Sequence, residues 1–463
     1  MTTKHLFSVA IWMAAFLSCA TAQSGFGPAT VNALQKKLDS CVNHFKVPGI
    51  SATLIISGDR TWSGASGLSD ITTKEPLDTS MIFQQASICK MFAATLIFQL
   101  VEENKLSLDD TIGKYLPPLK NVPPDTKIRY LLNHRSGITD ILEHPNVADT
   151  WITAPDSVWA PEKVIEAYCL PPKFKQNTQF AYSNTNYILI GMLLEKIRQK
   201  PLNQVLKEYI TAPYGLKHIY LDPFDAIPAP QAQGWTSFSQ ANVYDTNASL
   251  ILNPCSSSMF TMAGAIIAQP SEVAKFTRLL WSGKILNAAS LATMKTCTNL
   301  NIGGGNGYGY GTIRYSMGGK TYYGHSGDIN GFTTMTIHHE ATNLTLTVEI
   351  NRNGAPRVNI AAALLNIANA IVATAEASAD ETPLVVYPNP ASDVLHIRTA
   401  AFGQNEALSV GILDLHGRYV VTEKFQNTGD DICMPIANVP NGLYVLEVCI
   451  GRQKKLEKLI IKQ

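Results

Sequence analysis

The chain has 463 residues, of which 46% are hydrophobic and 16% charged, and its formal net charge at pH 7 is +1. That length implies two or three folding units, and the composition is that of an ordinary globular protein, not of a disordered or collagen-like one. The near-balance of charge gives no basis for binding nucleic acid or a strongly anionic partner.

Lys4 and His5 precede an apolar stretch from Leu6 to Leu17, and Ala20-Thr21-Ala22 offers small residues for cleavage before Gln23. Residues 1–22 therefore read as a secretory signal peptide, too short for a spanning helix. A buried N-terminal helix is the structural alternative. Cys19 suggests a lipoprotein, a reading that Phe16 and Leu17 disfavour. No later segment reaches about 18 uninterrupted apolar residues, so no transmembrane segment is expected in the mature chain. Cleavage after Ala22 leaves Cys41, Cys89, Cys169, Cys255, Cys297, Cys433 and Cys449. An odd, scattered set without Cys-x-x-Cys pairs is neither a disulfide scaffold nor a zinc site, although an oxidising compartment allows one or two bridges.

Val31, Leu34, Leu38, Cys41 and Phe45 recur at helical spacing and predict an amphipathic first helix. Gly49 to Ser57 reads as a strand, Gly58-Asp59 as a turn and Thr61 to Leu68 as the return strand. From Ser87 to about Glu103 the chain is apolar on nearly every side, which predicts a buried helix. Residues from about 105 to 300 mix helical runs with Pro-, Asn- and Gly-containing loops, as a helical lobe inserted between sheet strands does. Three strand-like runs follow, Lys320–Gly324, Phe332–His338 and Leu344–Ile350, and then a helix from about Arg357 to Ala373. Strands at both ends with helices between predict an α/β (α+β) domain, a sheet flanked by helices.

Residues 376–386, small and acidic at their start, read as a linker. Residues 387–463 read as a self-contained small β-sandwich with a tight turn at Asp414-Leu415-His416-Gly417. This unit resembles the C-terminal sorting domain of proteins exported by the type IX secretion system. The pieces that carry the resemblance are Tyr387-Pro388-Asn389-Pro390, the Asp414–Gly417 turn, Gly442-Leu443-Tyr444-Val445 and Lys458-Leu459-Ile460-Ile461-Lys462. The resemblance implies a Gram-negative source, the type IX machinery as partner, export across the outer membrane to the surface or medium, and removal of the domain on the way. A carbohydrate-binding or adhesive module is the alternative, for which no aromatic stacking platform is evident.

Three short motifs carry the chemistry. In Ser87-Ile88-Cys89-Lys90 a helix beginning near Ser87 places a hydroxyl and an amine on one face, with the hydroxyl near the positive helix end. A serine needs a group to take its proton, and Lys90 can do so once burial lowers its pKa. An N-cap serine with a solvent-facing lysine is the plainer alternative. In Tyr182-Ser183-Asn184 the first and third side chains share one side of an extended segment. A phenol there can carry the proton onward, and the Asn184 amide can hold a substrate carbonyl. In Tyr323-Gly324-His325-Ser326-Gly327, glycines on a strand edge let an extended substrate pair with the backbone, and His325 can orient or protonate the site. The gaps between the motifs are 95 and 143 residues (182 − 87 and 325 − 182).

With that order and spacing, residues from about 46 to 375 resemble the serine β-lactamase and D-alanyl-D-alanine carboxypeptidase-like hydrolases. The group in view contains class C β-lactamases, DD-peptidases and esterases. Gln99–Glu103 with Lys105–Asp110, Leu131–Gly137 and Gly307–Gly311 also resemble the family's flanking segments. The resemblance implies a hydrolase domain over 23–375, with an antiparallel sheet, flanking helices and a helical lobe. It further implies Ser87 as acylated nucleophile, Lys90 and Tyr182 as proton-transfer pair, and Asn184 as substrate-amide ligand. His325 would stand where β-lactamases carry a lysine, and the backbone N–H groups of Ser87 and Asp328 would form the oxyanion hole. Ser326, Gly327 and Asp328 would line the substrate edge.

The chain departs from the Ser-Asp-Asn and Lys-Thr-Gly partners of class A enzymes. His325 in place of lysine, with Asp328 beside it, favours peptides, amides and small esters over β-lactams or other anionic substrates. No metal is expected, because His338-His339-Glu340 lacks ligand spacing, and no nucleotide cofactor, because Gly303-Gly304-Gly305 precedes no Gly-Lys-Ser or Gly-Lys-Thr. A catalytically silent surface protein that binds peptidoglycan or a partner is the alternative from another class.

Overall fold

The structure is a computed structural model that describes residues 25–227, 230–236, 246–248, 251–379, 385–398, 407–426, 431–450 and 453–463. The segment read as a leader lies outside the described residues. The chain divides into two compact units, Met1–Ala370 and Ile371–Gln463.

The first unit is organised by a nine-stranded sheet. Its spatial order is Glu75–Pro76, Arg60–Asp70, Gly49–Ile56, Leu344–Ile350, Phe332–His339, Lys320–Ile329, Ile313–Met317, Gly305–Tyr308 and Thr298–Ile302. Every neighbouring pair is antiparallel. The two ends of the unit's sequence thus meet in mid-sheet, where Ile50–Ile55 pairs with Thr345–Ile350. The helix Pro28–Phe45, started by a proline in its first turn, buries Leu34, Leu38 and Cys41. It covers the face carrying Trp62, and a Cβ on Gly64 would strike both Trp62 and Gln35 of that helix. The helix Arg357–Ala379 reaches the same face through Asn369, which donates to the Tyr322 hydroxyl. The opposite face holds a row of threonines. There the Thr277 hydroxyl of the helix Pro270–Trp281 meets Thr336, and Thr336 meets Thr347, both at 2.8 Å.

Beyond that face lies the helical lobe, with one continuous apolar core that draws on residues from Ile88 to Tyr310. At its centre the helix Cys89–Glu102 buries eleven side chains, Lys90 included. Phe92 stacks on Phe276 at 3.7 Å between ring centroids, fastening this helix to the one that covers the sheet.

In the second unit, Val386–Tyr387, Val394–Ile397 and Ile432–Pro435 form one sheet. Tyr419–Gln426, Ala407–Leu413, Gly442–Ile450 and Gln453–Ile461 form another. Leu395, Ile397 and Met434 of the first share a core with Leu408, Val410 and Leu446 of the second. The expected β-sandwich is what forms.

Two boundaries differ from the sequence reading. The helix opening at Arg357 runs on past Ala373 to Ala379, because Ala375, Glu376 and Ala377 are good helix formers that the acidic composition disguised. Val386 already belongs to the first strand of the second unit. Among the described residues no disulfide forms, and no helix is long and apolar enough to cross a membrane.

Candidate active site

Ser87 lies in a single 3₁₀ turn, Ala86–Ile88, that leads into the helix Cys89–Glu102. Ala86 has φ +47°, a left-handed conformation that a side chain resists. The turn is held from below. Gln85 N–H donates to Ile266 O at 2.8 Å, and Gln85 O accepts from the Thr334 hydroxyl at 3.1 Å. Gly327 packs against the same turn, and a Cβ on it would lie 2.4 Å from Gln85 O and 2.8 Å from Ala86 Cβ. The third motif is therefore pressed onto the first, and only glycine permits the approach. Ser87 remains partly accessible while Ala86 and Ile88 are buried.

Lys90 is wholly buried. Its Nζ lies 3.1 Å from Ser87 Oγ, 2.8 Å from Asn184 Oδ1 and 2.6 Å from Ala263 O. Burial lowers its pKa to about 7, opposed chiefly by the charge of Asp140. Two of its three partners, an amide oxygen and a backbone carbonyl, can only accept. A neutral amine spends both N–H bonds on them, and its lone pair is left facing the Ser87 hydroxyl.

Tyr182 stands over this pair, with Lys90 Nζ 4.9 Å from its ring centroid. Burial holds the phenol well above its usual range, and a hydrogen bond with the Ser87 side chain pulls the other way. It is therefore a neutral phenol at pH 7, so the amine is the stronger base of the two. Asn184 opens the helix Asn184–Arg198 after an extended Ser183. Its amide bridges Lys90 to Asp140, donating from Nδ2 to Asp140 Oδ2 at 2.8 Å. Asn184 thus has a structural role in holding Lys90 and Asp140 together. Asp140 had no signal of its own in the sequence. Its carboxyl, raised by burial, also accepts from Leu142 N–H at 3.1 Å.

His325 is on the pocket wall, and of the two expected roles, orienting or protonating the site, its environment favours the first. His134 Nδ1 lies 3.2 Å from both the Ser183 N–H and the Asn186 amide nitrogen, so its proton sits on Nε2. Nε2–H then donates to the Tyr308 hydroxyl at 3.1 Å, and that hydroxyl donates to His325 Nε2 at 3.2 Å. His325 Nδ1–H is spent on Ser326 O at 2.6 Å. Burial lowers the His325 pKa to about 3, with a charge on Lys90 acting in the same direction and the bond to Ser326 O against it. It is a neutral link in a buried chain. His134 and Tyr308 belong to flanking segments whose residues carried no individual signal, since a histidine near a tyrosine in sequence is common.

Ser326 donates its hydroxyl to Gly303 O at 3.1 Å. Asp328 is half-exposed and pairs with Arg357 Nη1 at 2.5 Å, while accepting from the Thr333 hydroxyl at 3.2 Å. Arg357 offsets the carboxylate, which removes the physical basis for expecting Asp328 to repel anions. The strand Ile313–Met317 stops pairing at Gly324, so His325–Ile329 is paired on one side only. That free edge borders a cavity of about 910 Å³ reached by Ser87, Tyr182, Asn184 and Asp328, with Trp151 and Phe260 on its apolar wall.

A buried amine beside a hydroxyl, a neutral phenol and an unpaired strand edge are the groups that acyl transfer through a serine requires. Residues 34–370 match the family described as Beta-lactamase, and the chain belongs to it. Residues 385–462 match the secretion system C-terminal sorting domain. The chain is 25% identical to penicillin-binding protein 4* of Bacillus subtilis over 300 residues, 61% of this chain and 63% of the relative's length. It is 26% identical over 318 residues to penicillin-binding protein 4 of Amycolatopsis lactamdurans, 64% of this chain and 79% of that one. Among solved structures, the D-amino acid amidase of Ochrobactrum anthropi SV3 superposes with a TM-score of 0.66 at 26% identity, covering 74% of this chain and 99% of the amidase. The D-stereospecific amidohydrolase of a Streptomyces species gives 0.62 at 26% identity, with 71% and 96% covered.

Proposed function

We propose that the first unit cleaves peptide or amide bonds at D-configured residues, D-Ala-D-Ala ends included, through an acyl-enzyme on Ser87, with small esters as secondary substrates. Neutral Lys90 takes the Ser87 proton as Oγ attacks the carbonyl carbon. The proton passes by way of the Tyr182 hydroxyl to the departing amine, and water attacks the acyl-enzyme by the reverse path. Backbone N–H groups of Ser87 and Asp328 stabilise the oxyanion, each contributing about 10²–10³ in rate. His325 acts at a distance, fixing the strand edge and not exchanging protons. The observation that carries the reading is the Lys90 amine, buried and 3.1 Å from the Ser87 oxygen with its other bonds committed to acceptors. The names of the amidase and amidohydrolase relatives favour D-configured substrates, and the wall of Trp151 and Phe260 suits an apolar side chain on them. We further propose that the second unit directs export across the outer membrane by the type IX machinery and that residues 23–375 carry all of the activity.

A fluorophosphonate probe should label the wild type and not Ser87→Ala. Hydrolysis should favour a D-Ala-D-Ala peptide or a D-amino acid amide over the L-isomer, with a p-nitrophenyl ester slower and nitrocefin slowest. Absence of labelling in both proteins would leave a silent binder of peptidoglycan or a partner as the better account.

A further inference from the structure

Behind the Ser87 turn, in the middle of the sheet, Glu349 is completely buried. It lies between Thr334 and Ser51 on the neighbouring strands, neither of which carries charge. Neither of its carboxyl oxygens meets a donor among the described residues, and the same is true of Gln85 Oε1. The Gln85 side chain is close enough to act on this carboxyl, and taken alone that contact would lower the carboxyl's pKa, against the larger effect of burial. The orientation of the Gln85 amide is fixed from its other end. Nε2 lies 3.0 Å from Phe83 O and 3.3 Å from Ala268 O, two carbonyls that only accept, so both N–H bonds are committed there. Oε1 is therefore left as an acceptor with no donor among the described residues.

Two buried acceptors with no other donor between them are reconciled by one proton. We infer that Glu349 is a neutral carboxylic acid that donates its O–H to Gln85 Oε1, and that this bond positions the turn carrying the nucleophile. Its cross-strand neighbour Thr334 already holds the Gln85 backbone carbonyl. One pair of residues on adjacent strands thus clamps both oxygens of Gln85, two positions before Ser87. Burial drives the Glu349 carboxyl in the direction this requires, well above the usual carboxylate range. A neutral buried acid used as a hydrogen-bond donor has precedent in other enzymes. Glu349 touches no substrate in this scheme and is a positioning residue. The positioning role rests on the reading of Ser87 as nucleophile, whereas the protonation state does not.

The test has two arms on the full chain. In the infrared difference spectrum of wild type against Glu349→Gln at pH 7, the wild type should show the C=O stretch of a protonated carboxyl. A carboxylate pair of bands instead would overturn the inference. In the second arm, the labelling rate of Ser87 by a fluorophosphonate is compared for wild type, Glu349→Gln and Glu349→Leu. Glutamine keeps a neutral donor and should stay within about threefold of wild type, while leucine leaves Gln85 Oε1 unpaired and should slow labelling about tenfold or more. Equal slowing in both variants would overturn the positioning role, as would a leucine variant that melts earlier but labels at the wild-type rate. Should the leucine variant fail to fold, the infrared arm and the glutamine rate still decide. A wild type that is not labelled at all would count against Ser87 as nucleophile, and the infrared arm would still report on Glu349.

Discussion

At the scale of single residues, the chemistry turns on how the protein treats one amine. Desolvation brings Lys90 to about 7, so below that pH the base is protonated, and kcat/KM should rise with pH and level off above it. A pH–rate profile with a rising limb near 7 is the expected result. Lys90→Arg, permanently charged, should lose about 10²–10⁴-fold and show no such limb. His325 offers a contrast, because its pKa of about 3 takes it out of the neutral range. His325→Gln should lower kcat by disturbing the strand edge while leaving the midpoint of the limb in place. The motif residues Ser87, Lys90, Tyr182 and Asn184 were legible in the sequence because reactive side chains recur there at fixed short spacings. Asp140, His134 and Tyr308 were not legible, since each gains its role from a partner more than forty positions away. His325 was legible as a site residue but not in its protonation, which depends on a hydroxyl seventeen positions upstream that only the fold brings near.

At the scale of elements, the close seating of one strand on one turn sets the site. Gly327→Ala would force a Cβ to within 2.4 Å of Gln85 O and 2.5 Å of the Thr334 hydroxyl. It should destabilise the fold by about 1–3 kcal/mol, and the surviving folded protein should have a reduced kcat, measurable by thermal melts and steady-state rates. Ala86→Gly should do the reverse to stability, since the +47° φ at Ala86 carries a penalty of about 1 kcal/mol that glycine avoids. A higher Tm with a lower kcat is expected as the turn loosens. Elements with a plain period were readable in advance: the first helix, the buried helix after Ser87, and the strand Leu344–Ile350, whose limits match. The strand-like run Lys320–Gly324 and the strand edge expected at Tyr323–Gly327 are one strand, Lys320–Ile329. Glycines and a histidine weaken a strand signal that pairing with Phe332–His339 restores.

At the scale of the whole molecule, the described residues that approach Ser87 all lie within Met1–Ala370. Protein recovered from the medium should end near residue 385 by mass spectrometry. A chain ending there should match the full-length kcat/KM within about twofold, in keeping with a second unit that has a core of its own. The unpaired margin of the strand beyond Gly324 has a further consequence for substrate size. Each residue added alongside it advances about 3.3 Å and can form new main-chain bonds. Oligomers should therefore gain in kcat/KM with each monomer until the margin is filled at Ile329, and then gain nothing more. A single amino acid amide finds no ladder to join and must rely on the fit of its side group alone.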